Sequence, residues 1–245
     1  TNANQLAHYL QEHKIGAGDI VGICLGRTPN LLVAILAVLK TGAAYLPFDP
    51  TLPSDRLRFM VTDAQCCRVI VDSASPSDVW GDVRLTQLDV EQDAICKFPS
   101  TNLGWRLTGQ HLAYVMYTSG STGTPKGTMI THQGLVNYLS WSRDEYRVIE
   151  GTGAPVQSSI GFDATITSLL LPLVSGRTVT MLPEDEEIES LSEVLLAGDS
   201  EIHPMVGDAH PTGQPFSLAK LTPAHLKVLE LFGSTEVKTE REPTP

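Results

Sequence analysis

Two hydrophobic rhythms alternate along this chain. Residues Asn4 to His13 carry apolar positions at helical spacing, and Gly16 and Gly18 end that helix. A short apolar run, Ile20 to Leu25, then predicts a strand. Pro29 opens a second helix over Asn30–Lys40, at the helical position where its missing N–H is not needed, and Gly42 closes it. Ala44–Phe48 predicts the next strand and Asp49-Pro50 turns the chain. A helix then runs from Pro53 or Ser54 to about Ala64, and Cys67–Val71 is β-rich. Residues 73–110 keep no clear rhythm, because Pro, Ser, Gly and Trp interrupt short apolar pieces. Beyond them the apolar run Leu112–Met116 leads into a glycine-rich stretch, a short strand and a helix from about His132 to Tyr146. Strand–helix pairs follow: Pro155–Ser159 with Asp163–Val174, Thr178–Leu182 with Ile188–Leu196, and Phe216–Leu221 with Pro223–Phe232. Strands alternating with helices of this length predict an α/β fold whose mostly parallel sheet is covered by helices on both faces. The expected division is one folded unit over 1–232 and a polar, disordered tail over 233–245.

Composition restricts the class of protein. Of 245 residues 42% are hydrophobic, enough for a sizeable core, and the 18% that are charged are too few for a disordered polyelectrolyte. The net charge of −11, from 17 basic and 28 acidic residues without a Lys/Arg-rich stretch, argues against nucleic-acid binding. Part of the acidic excess is the run Glu184–Glu187, read as a solvated loop or a helix start. The longest apolar run, Leu31–Leu39, is nine residues, whereas a membrane span needs about 20. Cys24, Cys66, Cys67 and Cys96 form no C-x-x-C pair, and His132, His203, His210 and His225 have no ligand spacing, so no metal site is expected. The cysteines read as reduced, mostly buried thiols of an intracellular, cytoplasmic protein.

The stretch that carries chemistry is Tyr117–Gly127, YTSGSTGTPKG, with three glycines, five small hydroxyl residues and one lysine. A flexible linker is the bland alternative; the apolar lead-in and the stiff, charged Pro125-Lys126 exit count against it. Gly120 and Gly123 allow backbone N–H groups to turn toward an anion. Thr118, Ser119, Ser121 and Thr122 add hydroxyl donors, and Lys126 supplies a point charge for phosphate oxygens. Neither the Walker loop nor the dinucleotide fingerprint fits this spacing.

Tyr117–Gly127 resembles the phosphate loop of the adenylate-forming superfamily, which includes acyl-CoA synthetases, luciferases and the adenylation domains of nonribosomal peptide synthetases. Three further segments are similar to the last branch: Leu39–Pro50 (LKTGAAYLPFDP), Phe162-Asp163-Ala164-Thr165, and Leu221–Leu226 (LTPAHL). The likeness runs in order from about Asn4 to Leu231 and implies part of the large N-terminal subdomain of that fold. It implies an ATP-dependent ligase whose loop embraces the β and γ phosphates of ATP while a carboxylate attacks the α phosphorus, by positioning and charge stabilisation. Thr118, Ser119, Gly120, Ser121, Thr122, Gly123 and Lys126 would form that embrace, with Thr122 and Lys126 closest to the chemistry and Mg²⁺ as counter-ion. Some hydroxyls, Ser119 and Thr124 above all, can equally serve only the shape of the loop.

The same resemblance implies an amino-acid substrate. Asp163 alone reads as a helix N-cap; in amino-acid-activating relatives an Asp here pairs with the substrate's α-ammonium group. Phe162 would form a wall between nucleotide and acyl pockets, or be a plain core phenylalanine. Ala164, Thr167 and Lys220 fall at side-chain-pocket positions. Lys220 is read as an edge-strand or snorkelling lysine, or as the partner of a substrate carboxylate or amide carbonyl. The expected activity is formation of an aminoacyl-adenylate and transfer of the aminoacyl group to the phosphopantetheine thiol of a carrier domain, beside neighbouring synthetase modules. The alternatives are a piece of an acyl-CoA ligase and a non-catalytic nucleotide-binding remnant. The family's later adenine, ribose and adenylate-lysine blocks are not found, so the chain is expected to be a piece of such a domain with little turnover of its own.

Overall fold

The computed structural model describes residues 1–76, 78–104, 107–119, 124–183 and 218–219. Helix α1 covers Asn2–Glu12, strand β1 Ile20–Ile23, α2 Pro29–Thr41, β2 Ala44–Pro47, α3 Ser54–Asp63 and β3 Arg68–Val71. Strand β4 (Arg84–Gln87) and α4 (Leu88–Ile95) follow, then β5 (Leu112–Thr118), β6 (Lys126–Thr131) and α5 (His132–Glu145). The last described elements are β7 (Gly153–Val156), α6 (Asp163–Val174) and β8 (Thr178–Met181). Proline at the start of α2 and a left-handed Gly42 at its end, φ 84°, bound that helix as its sequence predicts.

Six strands form one sheet in the order β4-β3-β1-β2-β5-β6. All neighbours are parallel except the β5–β6 pair, an antiparallel hairpin. From β1 the chain crosses to β2, then doubles back across β1 to β3. Right-handed crossovers in opposite directions put α2 and α3 on opposite faces. Side chains confirm it by alternation. Val21, Ile23, Tyr45, Ile70, Tyr114 and Met116 join α1 and α2 in one core, whereas Cys24, Leu46, Val69, Val71, Val115 and Tyr117 join α3 in the other. Gly22 completes the pattern: a Cβ there would stand 2.4 Å from Phe48 Cε2, so the phenylalanine fills the space a side chain would take.

Strands β7 and β8 pair in parallel as a second sheet, and α6 packs its buried face (Ile166, Leu169, Leu170, Leu171) into the same core as α2.

Three sequence expectations need correction. Residues 84–95 are ordered as β4 and α4 rather than irregular. Strand β7 occupies Gly153–Val156 and leaves Gln157–Ser159 to the following turn. Of the four cysteines Cys24 and Cys66 are buried, whereas Cys67 and Cys96 are exposed. Burial pushes the Cys24 and Cys66 thiols up to about 12, so both stay protonated and inert at neutral pH. The expected elements Ile188–Leu196, Phe216–Leu221 and Pro223–Phe232, and the tail, lie outside the described residues, apart from Leu218 and Ala219. Leu218 N–H donates to Gly153 O at 3.2 Å.

Candidate active site

The hairpin that carries the loop is built from burial upward. Ala113 to Tyr117 of β5 are buried, and the strand emerges at Thr118, which is exposed. On the return strand Lys126 is exposed, and it lies directly opposite Thr118 in the ladder. Ser119 and Thr124 are exposed beside them. Gly120, Ser121, Thr122 and Gly123 lie outside the described residues. The described part of the loop is therefore its base: two hydroxyl residues at the carboxyl end of a parallel strand, and one cation across from them. Ligands in such sheets gather at that edge.

Asp163 begins α6, and the N-cap position belongs to Phe162, with φ −105° and ψ 136°. Asp163 is therefore not the N-cap. Its carboxylate is exposed in the first turn, where the helix dipole favours negative charge. Phe162 is 64% exposed, which excludes the plain core reading. Ala164 is exposed beside it. Thr167 is fully buried, its Oγ1 sharing a hydrogen bond of 2.6 Å with Tyr138 Oη of α5. Lys220 lies outside the described residues.

The turn before Asp163 is held by hydroxyl groups. Thr165 Oγ1 donates to Ser159 O at 2.7 Å, so it accepts from Ser158 Oγ at 2.7 Å. Phe162 N–H donates to Ser159 O at 3.1 Å, and Gly161 N–H to Ser159 Oγ at 3.2 Å. Ser159 Oγ in turn donates to Asp49, which follows β2 in the other sheet. Asp49 Oδ1 also accepts from Thr51 N–H at 2.9 Å and from Thr51 Oγ1 at 2.6 Å. Burial raises the Asp49 pKa, but the hydrogen bonds from Ser159 and Thr51 and the Arg27 guanidinium outweigh it, leaving the carboxyl below its ordinary range.

One residue links the two halves of the site. Tyr114 lies four positions before Thr118 on β5 and stacks at 5.5 Å between ring centroids on Tyr45. Its phenol pKa is raised by burial and then by the negative charges of Asp163 and, when ionised, Tyr138. The Asp163 carboxylate thus lies within electrostatic reach of the strand that bears the loop. Sequence reading gave Asp49 only a turn and assigned no role to Ser159, Tyr114 or Tyr138. The signal for the first two was present, as an Asp-Pro-Thr turn and the pair Ser158-Ser159 just before Phe162.

A groove of about 870 Å³ runs along Leu107–Gly109 and Thr131–Gly134 to Val136 of α5. It opens at the amino end of β5 and touches none of the predicted site residues, so it is not the candidate site. Among the described residues no cluster of three His, Cys, Asp or Glu side chains could hold a metal ion, and no helix is long and apolar enough to cross a membrane.

A mostly parallel α/β sheet whose β5–β6 hairpin carries a hydroxyl- and glycine-rich segment at the carboxyl end of β5 is the frame of a nucleotide-binding protein. Residues 1–212 match the AMP-binding enzyme family, and the chain belongs to that family of ATP-dependent adenylate-forming ligases. It is 37% identical over 226 residues to tyrocidine synthase 3 of Brevibacillus parabrevis, covering 92% of this chain and 3% of that one. Bacitracin synthase 3 of Bacillus licheniformis is 34% identical over 250 residues, covering 97% and 4%. Malpinin synthetase of Mortierella alpina is 38% identical over 191 residues, covering 76% and 2%. Among solved structures the chain resembles holo-AB3403, a four-domain nonribosomal peptide synthetase bound to AMP and glycine, with TM-score 0.67 and 27% identity over 94% of this chain and 16% of that one. The AMPPNP-bound nonribosomal peptide synthetase FmoA3 gives TM-score 0.69 and 25% identity over 81% and 21%. The chain thus corresponds to part of the adenylation domain of these synthetases and spans only a few per cent of the first relatives' length.

Proposed function

We propose that this chain is the triphosphate- and substrate-pocket portion of an amino-acid-activating adenylation unit. The observation that carries the reading is the pairing of Thr118 with Lys126 at the carboxyl end of β5, with exposed Asp163 within electrostatic reach of the same strand. In this reading Thr118, Ser119, Ser121, Thr122 and Lys126, with the amides of Gly120 and Gly123, hold the β and γ phosphates of ATP. Asp163 binds the α-ammonium group of the amino acid and holds its carboxylate toward the α phosphorus. Attack forms the carboxyl–phosphate bond and expels pyrophosphate, whose developing charge Lys126 neutralises. The phosphopantetheine thiol of a carrier domain then attacks the acyl carbon of the adenylate, forming a thioester as the acyl–phosphate bond breaks and AMP leaves. Phe162 walls the acyl pocket from the nucleotide, and Ala164, Thr167 and Lys220 bear on the side chain. Mg²⁺ accompanying ATP would be held mainly by phosphate oxygens, as this ion commonly is.

Structures bound to AMP with glycine, or to AMPPNP, support the nucleotide half of the reading at family level. The exposed Asp163 carboxylate favours an amino acid over a fatty or aryl acid, which offers no cation to pair with it. Calorimetric titration of the folded 245-residue chain with Mg·ATP tests the reading. Saturable binding that Lys126→Ala weakens is the expected result, together with amino-acid-dependent ATP–pyrophosphate exchange that is weak at most. A folded chain that binds no ATP would overturn it.

A further inference from the structure

Tyr117 is the last buried side chain before the loop, and it points away from the core that holds Tyr114 and α6. Its ring belongs to the α3-side core and meets Phe59 edge-on at 6.3 Å between centroids. The hydroxyl donates to Asp63 Oδ2 at 2.5 Å, and Asp63 is the last residue of α3. A carboxylate at a helix C-terminus is disfavoured by the dipole, so the phenol offsets a charge that the helix itself does not welcome.

Across the hairpin Tyr117 stands directly opposite Gly127. A Cβ at position 127 would lie 3.2 Å from Tyr117 Cζ, 3.3 Å from its Cε2 and 3.2 Å from Val115 Cγ1. Gly127 is not among the residues with positive φ, so its backbone does not demand glycine. What demands it is the ring lying over it, an aromatic–glycine pair across neighbouring strands.

We propose that Tyr117 is a positioning residue for the nucleotide loop. Its ring seats on Gly127 and its hydroxyl on Asp63, so β5, β6 and α3 are clamped together at the base of the loop. The clamp fixes Lys126 opposite Thr118 and keeps the cation from following a fraying strand. The last glycine of the loop segment therefore serves this clamp rather than the phosphates. The nucleotide consequence rests on the function proposed above; the clamp itself does not.

The test uses the full 245-residue chain with Tyr117→Phe, Asp63→Ala, Asp63→Asn, Gly127→Ala and the double variant Tyr117→Phe/Asp63→Ala. Amide hydrogen exchange over residues 126–131 and the affinity for Mg·AMPPNP are read on each. Loss of one half-buried hydrogen bond to a charged group is expected to speed exchange and weaken AMPPNP binding about tenfold in Tyr117→Phe and Asp63→Ala. The double variant should be no worse than either single one, because both remove the same contact. Asp63→Asn keeps an acceptor and should recover most of the loss, which a mere effect on packing would not do. Gly127→Ala should match Tyr117→Phe by displacing the ring. Unchanged exchange in both single variants, or additive losses in the double one, would overturn the clamp. If the native chain binds no AMPPNP, the nucleotide reading fails while exchange still decides the clamp.

Discussion

Lys126 and Asp163 are exposed charges whose expected partners, a triphosphate and an ammonium group, belong to the ligands. For Lys126 the consequence is direct. A hydrogen bond to a charged group contributes about 1.5–3 kcal/mol, so Lys126→Ala is expected to weaken ATP binding roughly ten- to hundredfold by titration; an unchanged affinity would remove it from the site. Asp163 is expected to act on selectivity rather than on nucleotide affinity. A non-hydrolysable aminoacyl-adenylate analogue should bind more tightly than its deaminated counterpart, and Asp163→Ala should erase most of that preference, about 2 kcal/mol or more. Equal preference before and after the substitution would show that the ammonium group is bound elsewhere. As a candidate, Lys126 was legible from the dense glycine and hydroxyl pattern around it, whereas Asp163 alone read as a helix N-cap and became a candidate only through the family resemblance. Asp49 and Ser159 were not legible, because their meaning is a hydrogen bond between segments about 110 positions apart, and no local spacing encodes it.

Elements were legible where burial is one-sided or complete, and hidden where it is not. Strand β4 is an edge strand with only Thr86 buried, so its four residues show no apolar run. Its helix α4 buries only Leu88 and Ile95, two turns apart, which is too sparse a stripe to mark a helix amid polar residues. Strand β7 was displaced for a different reason. Its first residue, Gly153, has φ +142°, and a Cβ there would come within 1.8 Å of Thr178 O in the neighbouring strand β8. The close approach of two backbones begins the strand at a glycine, which looked like a break in the pattern. Gly153→Ala is accordingly expected to destabilise the protein by about 3 kcal/mol or more, since a disfavoured φ and a backbone clash combine. Chemical denaturation measures this, and a loss below about 1 kcal/mol would show that β7 can shift away from β8.

At the scale of the whole molecule, two sheets meet near the candidate site, and the apolar core alone does not fix their register. Apolar contacts are non-directional; the hydrogen bond from Ser159 Oγ to Asp49 is directional, and it ties the turn before Asp163 to the end of β2. This polar bridge predicts how stability depends on pH. Asp49 has its folded pKa held below the unfolded value of about 3.9. It therefore binds its proton less readily in the folded state, and its contribution is fully present above the unfolded pKa. As pH falls through the folded pKa the carboxylate is protonated, the Ser159, Thr51 and Arg27 interactions weaken, and that contribution is lost. Asp49→Asn should thus be less stable than the native chain at about pH 6, and the difference between them should hold down to about pH 4 and shrink below it. Denaturation curves collected across that window measure it. A difference that stays constant would mean that the Asp49 charge does not hold the turn, and that the position of Asp163 is set by apolar packing after all.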